Sequence, residues 1–307
     1  MNTVNVISGT ITLPNGISLA YDERGPKEGP VVLFIMGLSA QMVFWPEPLL
    51  NAVAQQGFRV VRFDNRDVGH STKIRGKLHY GPFQAIVRAY AGLDIQPPYT
   101  LHHMVDDVVG LLDELEVAKA HLVGASMGGM ISQLMAGKFP ERVASLTSIM
   151  SSSNHRWLPP PTFSALKTLV GPRTEIHSEE AFVAHGKKMM KIIGGTLPQG
   201  DALLEEMFAQ SWQRGLYPRG ILQQFLAILA TGDLRPYLRK VQCPTRVIHG
   251  TKDPLLRPAC GKSSAKHIPG AKLSLLKGMG HDLPESLLPT IAQLIVENAR
   301  EGEALNA

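Results

Sequence analysis

The sequence predicts an α/β protein, in which a mostly parallel sheet is flanked by helices and a helical segment interrupts the strand series. Three observations carry that expectation. Val31–Ile35, residues 58–63, residues 121–125 and residues 143–150 are short apolar runs without polar alternation, as suits strands covered on both faces. Stretches with apolar residues at helical spacing lie between most of them. From 154 to 239 no strand-like run occurs, and the strand pattern then resumes at Thr245–Gly250 and Lys272–Leu276.

Taken in order, residues 4–13 alternate apolar and polar side chains, Pro14-Asn15-Gly16 makes a turn, and residues 17–21 alternate again, which reads as a β-hairpin. After the loop 25–29 comes the buried strand Val31–Ile35, which ends in the small-residue turn Met36-Gly37-Leu38-Ser39. A helix is expected over 45–56, stopped by Gly57, and residues 58–63 form the next buried strand. Its exit, Asp64-Asn65-Arg66-Asp67-Val68-Gly69-His70-Ser71, reads as charges that pin loops, with no chemistry assigned. Residues 82–90 carry Phe83, Ile86, Val87 and Tyr90 at helical spacing, so this segment is expected over the sheet edge or a pocket mouth.

Thr100 is placed to cap an amphipathic helix whose Met104, Val105, Val108, Leu111, Leu112 and Leu115 share a face. His102 and His103, beside Asp106 and Asp107, read as the wet side of that helix and not as a metal site. Between 154 and 239, one helical stretch carries Leu203, Leu204, Met207, Phe208 and Trp212 on a face and ends at Gly215. Another runs through Ile221, Leu222, Phe225, Leu226 and Leu229 to Gly232. This organisation predicts a core of residues 1–153 and 240–307, with residues 154–239 as a helical cap over the ends of the sheet strands. A last amphipathic helix follows Pro284, and the polar tail from Arg300 is expected to fray.

Composition bounds the partners. At 307 residues, with 44% hydrophobic and 19% charged residues, the chain can bury a large core as one large domain or two ordinary ones. The net charge of +5 and pI near 9.2 come from scattered Lys and Arg with no basic run among aromatics, so no nucleic acid partner is expected. Cys243 and Cys260 lack metal-ligand spacing and read as two thiols in a reducing compartment. No apolar run has the length of a membrane span and the first ten residues lack a secretion profile, which makes the cytoplasm the expected location.

The chemistry centres on His-Leu-Val-Gly-Ala-Ser-Met-Gly-Gly-Met, residues 121–130. Gly124, Ser126 and Gly128 spell G-x-S-x-G, in which a strand turns sharply into a helix and holds a serine at the crest. A serine hydroxyl is a poor nucleophile at neutral pH, so it needs a base and a third group to orient that base. Asp253 follows the strand Thr245–Gly250 by a tight turn, and His281 follows Lys272–Leu276 in Gly-Met-Gly-His-Asp. The chain order Ser126, Asp253, His281 is the one expected when a nucleophile elbow comes first. Asp282 is a rival acid, but its adjacency to His281 points its side chain elsewhere. The N–H of Met127 at the helix start and the N–H of Leu38 in the turn after Val31–Ile35 are the candidate oxyanion donors.

These residues resemble the α/β-hydrolase superfamily over nearly the whole chain. Gly37-Leu38-Ser39-Ala40, the 64–71 segment, Gly124 to Gly129, His249-Gly250-Thr251-Lys252-Asp253 and Gly278-Met279-Gly280-His281 are similar to the bacterial esterase branch that includes aclacinomycin methylesterases. The resemblance implies an eight-stranded, mostly parallel sheet with a helical cap after strand six. It also implies a Ser-His-Asp triad on Ser126, His281 and Asp253, oxyanion donors at Leu38 and Met127, and ester hydrolysis without cofactor or metal. Many members have His-Gly where this chain has Met36-Gly37, and the 154–239 segment carries no substrate-specific motif.

The expected function is therefore hydrolysis of a carboxylic ester of a hydrophobic small molecule through an acyl-enzyme. Carbon–carbon bond hydrolysis or perhydrolysis on the same residues are the nearest alternatives, and the turn 37–40 lacks the extra Gly-Pro-Gly of the former group. Serine at 126 argues against haloalkane dehalogenases and epoxide hydrolases, which use an aspartate nucleophile. A non-catalytic ligand-binding protein on the same fold is the alternative of a different class. The oligomeric state has no sequence signal.

Overall fold

The computed structural model describes residues 6–170, 176–198 and 200–306. Chain order is β1 (Val6–Thr12), β2 (Ser18–Arg24), β3 (Val31–Ile35), α1 (Glu47–Ala54), β4 (Arg59–Phe63), α2 (Pro82–Ala91), α3 (Leu101–Glu114), β5 (Ala120–Ala125), α4 (Met127–Lys138) and β6 (Val143–Ile149). Five helices follow before the next strand: α5 (Phe163–Val170), α6 (Glu179–Ile193), α7 (Asp201–Gln213), α8 (Pro218–Thr231) and α9 (Arg235–Leu238). The chain then closes with β7 (Thr245–Gly250), α10 (Pro258–His267), β8 (Lys272–Leu276) and α11 (Leu288–Asn306).

The strands form one eight-stranded sheet in the order β1-β2-β4-β3-β5-β6-β7-β8. Pairings from β4 through to β8 are parallel, and β2 runs antiparallel to both β1 and β4. The β1–β2 hairpin closes as its turn residues require. Gly16 takes φ +81°, the Asn15 side chain accepts from the Ile17 N–H at 3.0 Å, and the Leu13 N–H donates to the Ile17 carbonyl at 2.8 Å. Val4 and Asn5, part of the expected first strand, lie outside the described residues.

The continuous apolar runs are explained by layers on both faces. Along β3, Val31, Leu33 and Ile35 join the cluster beneath α3 and α4, while Val32 and Phe34 join the cluster beneath α1 and α11. That is the two-residue period of a strand read into two cores. Phe34 meets Trp45 edge to face at 4.9 Å, and each large side chain buried this way stabilises by roughly 1.5–3 kcal/mol.

Two local expectations need correction. The helix expected over 45–56 is shorter, because residues 42–44 form a separate tight turn and Pro46 precedes α1. The tail expected to fray is instead helical to Asn306. Ala299 is buried, the Arg300 guanidinium lies over the Phe58 ring and donates to the Gln56 carbonyl, and Glu303 meets His121 Nε2 at 2.9 Å. Polar composition there reflects specific partners on the core. Thr100 precedes α3 as expected, and the His103 ring at 3.1 Å from the Thr100 N–H caps the helix start, while His102 meets Tyr237 edge to face. Among the described residues, no helix is long and apolar enough to cross a membrane.

Candidate active site

β5 ends at Ala125 and α4 begins at Met127, so Ser126 alone makes the turn, with φ 54° and ψ −118°. That conformation is strained for a non-glycine residue and persists because its surroundings fix it. The Ser126 N–H donates to the Ile149 carbonyl at 3.0 Å, and the Ser151 hydroxyl donates to the Ser126 carbonyl at 2.7 Å. The flanking glycines are required by close approach. A Cβ on Gly128 would stand 1.9 Å from the Ile35 carbonyl oxygen, and one on Gly124 would stand 2.3 Å from the Gly128 carbonyl oxygen.

The structure brings the sequence-predicted side chains together. His281 Nε2 is 3.0 Å from Ser126 Oγ, and His281 Nδ1 is 2.8 Å from Asp253 Oδ2. Asp253 is buried, and its other oxygen, Oδ1, accepts from the Leu255 and Leu256 N–H groups at 2.9 and 2.8 Å. These bonds satisfy a carboxylate that would otherwise be expensive to bury. The loop carrying His281 is fixed in turn, since its backbone N–H donates to the Ile193 carbonyl at 2.8 Å at the end of α6. Asp282 accepts from the Gly280 N–H at 2.8 Å, which places its carboxylate on its own loop.

Behind the acid lies a second histidine that sequence reasoning left unassigned. His249 is fully buried, its Nε2 lies 2.6 Å from the Leu256 carbonyl and 3.5 Å from Asp253 Oδ2, and its Nδ1 has no partner. Burial holds its pKa below the ordinary histidine value, against the pull of Asp253 in the other direction. The neutral ring therefore supports the Leu255–Leu256 turn on which Asp253 leans.

The two candidate backbone donors flank the serine. Met127 is the first residue of α4, where an N–H has no acceptor four residues earlier in its own helix. Leu38 belongs to the turn after β3, and that turn passes directly over the serine: a Cβ on Gly37 would lie 3.1 Å from Ser126 Cβ. Asn65 Nδ2 donates to the Met36 carbonyl at 3.0 Å, and the Ser39 N–H donates to Gln224 Oε1 at 2.8 Å. The apolar Met36 side chain is buried.

Ser126, His281 and Leu38 open onto a cavity of about 1880 Å³. Its walls include Phe44 from the core and Met190, Met207 and Phe208 from the helices between β6 and β7. α2 supplies Ile86 and Tyr90 to the same cavity, so the sequence expectation of a pocket mouth holds for that helix, although Phe83 and Val87 face outward.

The 64–71 loop does more than pin itself. Arg66 grips Asp107 through two bonds of 2.6 Å, as loop bracing requires. Asp64 pairs with Arg214 just after α7, and Asp67 accepts from Gln223 of α8 at 2.6 Å. The buried stripe of α8 is Gly220, Gln223, Gln224, Leu226 and Ala227; of the expected face, Leu226 is buried as expected, whereas Ile221, Leu222, Phe225 and Leu229 are only part-buried. A signal for this was present, since small residues at 220 and 227 bracket two amides at helical spacing. Among the described residues, no three His, Cys, Asp or Glu side chains group closely enough to hold a metal ion.

Comparison with known proteins gives the same frame. A family model described as alpha/beta hydrolase fold matches residues 30–286. The chain is 24% identical over 295 residues to rhodomycin D methylesterase DnrP of Streptomyces peucetius, covering 90% of this chain and 92% of that protein. It is also 24% identical to the bifunctional esterase/perhydrolase DCH of Acinetobacter calcoaceticus, covering 92% and 96% of the two chains. Among solved structures, an esterase from Exiguobacterium antarcticum superposes with a TM-score of 0.71 at 18% identity, covering 96% of this chain and 100% of that one. With the strand order, the elbow at Ser126 and a match across most of its length, this chain belongs to the alpha/beta hydrolase fold family.

Proposed function

We propose that the protein hydrolyses a carboxylic ester of a bulky, hydrophobic small molecule through an acyl-enzyme on Ser126. Carboxylic ester hydrolysis is the class of its named relatives, a methylesterase and an esterase/perhydrolase. The observation that carries the finer reading is the unbroken relay from Ser126 Oγ to His281 Nε2 at 3.0 Å and from His281 Nδ1 to Asp253 Oδ2 at 2.8 Å.

In this reading His281 takes the Ser126 proton as Oγ adds to the ester carbonyl. Asp253 keeps the proton of His281 on Nδ1, so that Nε2 is free to accept, and steadies the imidazolium. The Leu38 and Met127 N–H groups receive the developing oxyanion, each such donor being worth about 3 kcal/mol of barrier. His281 then returns the proton to the leaving alcohol oxygen as the tetrahedral adduct collapses. Water, deprotonated by the same imidazole, repeats the addition on the acyl group and restores Ser126.

Residues 154–239 act as a cap whose apolar residues face the reacting ester. The cavity of about 1880 Å³ exceeds the roughly 300–1,000 Å³ of ordinary small-molecule pockets, which favours a large substrate over a short ester. Burial pushes the thiols of Cys243 and Cys260 each up to about 11, so neither competes as a nucleophile. Both cysteines are unpaired, which fits a reducing compartment, and we place the protein in the cytoplasm. The relative named as a bifunctional esterase/perhydrolase favours one second activity on the same residues, interception of the acyl-enzyme by peroxide in place of water.

The test is turnover of a p-nitrophenyl ester series by wild type and Ser126→Ala, with folding followed by thermal melting. The substitution is expected to lower kcat by about 10⁶-fold with little change in Tm. Equal turnover by both proteins, or no turnover of any ester by the wild type, would contradict the reading.

A further inference from the structure

We infer that Gln224, on α8 of the segment between β6 and β7, is a positioning residue that holds the 36–39 turn over Ser126 and thereby aims the Leu38 N–H. The inference rests on the ester-hydrolase reading above, in which Leu38 supplies an oxyanion donor.

Four observations converge on it. Gln224 is fully buried and both ends of its amide are engaged: Oε1 accepts from the Ser39 N–H at 2.8 Å and Nε2 donates to the Arg66 carbonyl at 2.8 Å. Ser39 has φ +62°, a conformation that a non-glycine residue keeps only when neighbours impose it. The turn's internal bond, from the Ala40 N–H to the Gly37 carbonyl, is long at 3.3 Å and leaves the holding to outside groups. Finally, Met36 has no polar side-chain hydrogen to offer, so the turn is held at one end by Asn65 on the Met36 carbonyl and at the other by Gln224.

The consequence follows from backbone geometry. The Ser39 N–H and the Leu38 carbonyl share one rigid peptide plane. With that plane fixed by Gln224 and the Met36–Gly37 plane fixed by Asn65, the Gly37–Leu38 plane that carries the Leu38 N–H is held between two anchors, close over Ser126. The donor is thus set by a residue of the cap, 185 positions in sequence from the Ser39 it holds. A displaced cap would lose oxyanion alignment along with cavity walls.

Gln223 provides the control. It is the neighbour of Gln224 on the same helix and equally buried, but it donates to Asp67 Oδ2 at 2.6 Å and to the Ile74 carbonyl at 3.0 Å, away from the turn. Gln224→Met and Gln223→Met therefore remove similar buried amides, and only the first removes the acceptor for Ser39. Should Gln224→Met fail to fold, Gln224→Asn, polar but one methylene too short to reach, makes the same test.

With p-nitrophenyl esters, Gln224→Met or Gln224→Asn is expected to lower kcat by about 10- to 100-fold, below the 10²–10³ seen for outright loss of an oxyanion donor, with KM changed by less than about threefold. Gln224→Glu, which keeps an acceptor for Ser39, should recover part of that loss. Inhibition by a trifluoromethyl ketone, whose adduct carries the oxyanion, should weaken in step with kcat/KM. Gln223→Met should lower Tm comparably while leaving kcat within about threefold of wild type. Equal losses of kcat in the two variants, or a Gln224 effect confined to Tm or KM, would overturn the inference while leaving the esterase reading intact. A wild type that turns over no ester would remove the parent reading and this inference with it.

Discussion

The two oxygens of Asp253 face different partners, and that division makes a sharp prediction. Oδ1 accepts two backbone N–H groups and Oδ2 meets His281 Nδ1 at 2.8 Å. In Asp253→Asn the remaining carbonyl oxygen is best used on the two backbone donors, which turns the amide NH₂ toward His281. Nδ1 must then be the acceptor, the ring proton moves to Nε2, and Nε2 can no longer take a proton from Ser126. A loss of kcat of about 10⁴-fold is expected, with Tm close to wild type. An Asn variant retaining more than about a tenth of wild-type kcat would show that Asp253 does not set the tautomer.

His249 yields a prediction of another kind. Its pKa in the folded protein lies below the ordinary value of about 6.5 because burial disfavours the cation. At a pH below about 6.5 the unfolded chain binds a proton that the folded chain refuses, so stability falls on acidification toward the lowered folded value. Buried His121, held below its ordinary value by desolvation despite Glu303, adds the same sign. Tm measured from pH 8 down to 5 should decline below about 6.5, and His249→Gln should flatten part of that decline. A Tm that rises over this interval would reverse the assignment.

At the scale of elements, the serine elbow is a packing solution before it is a chemical one. α4 can follow β5 after one residue only because Gly124 lets the helix start press against the end of β5 and Gly128 lets it press against the end of β3. Gly128→Ala would set a methyl 1.9 Å from a main-chain oxygen of β3, and backbone cannot yield as a side-chain tip can. Destabilisation of about 3 kcal/mol or more is expected, read by denaturant melts, together with loss of turnover. A Gly128→Ala protein with wild-type stability and rate would mean that the elbow is looser than described.

Much of this was legible in the sequence because it is local. G-x-S-x-G, the small-residue turn after Val31–Ile35, and an acid and a histidine each just past a strand are all short-range patterns. What was not legible depends on distant packing. Gln224 reads as an ordinary polar position until the Ser39 N–H comes within 2.8 Å of it. The polar end of α11 reads as frayed until Glu303 meets His121 and Arg300 meets Phe58. Asp64 and Asp67 read as loop braces, and only the folded chain places Arg214 and Gln223 opposite them.

For the whole molecule, the helices between β6 and β7 and the rest of the chain both bond to the residues of the candidate site. Ile193 holds the backbone of His281 and Gln224 holds the turn above Ser126, whereas Arg214 and Gln223 bond to Asp64 and Asp67 of the 64–71 loop, away from the serine. The polar groups at the base of the cavity are therefore fixed from both sides. The walls above them include the apolar Phe44, Met190, Met207 and Phe208, and on the proposed function they accommodate a large ester.

The central claim is that Ser126, activated through His281, is the nucleophile. It is tested most directly by incubating wild type, Ser126→Ala and His281→Ala with a fluorophosphonate and locating the adduct by peptide mass spectrometry. One stoichiometric adduct on the peptide containing Ser126, absent from Ser126→Ala and formed far more slowly by His281→Ala, is the predicted result. An adduct on another residue, or equal labelling of wild type and His281→Ala, would contradict it.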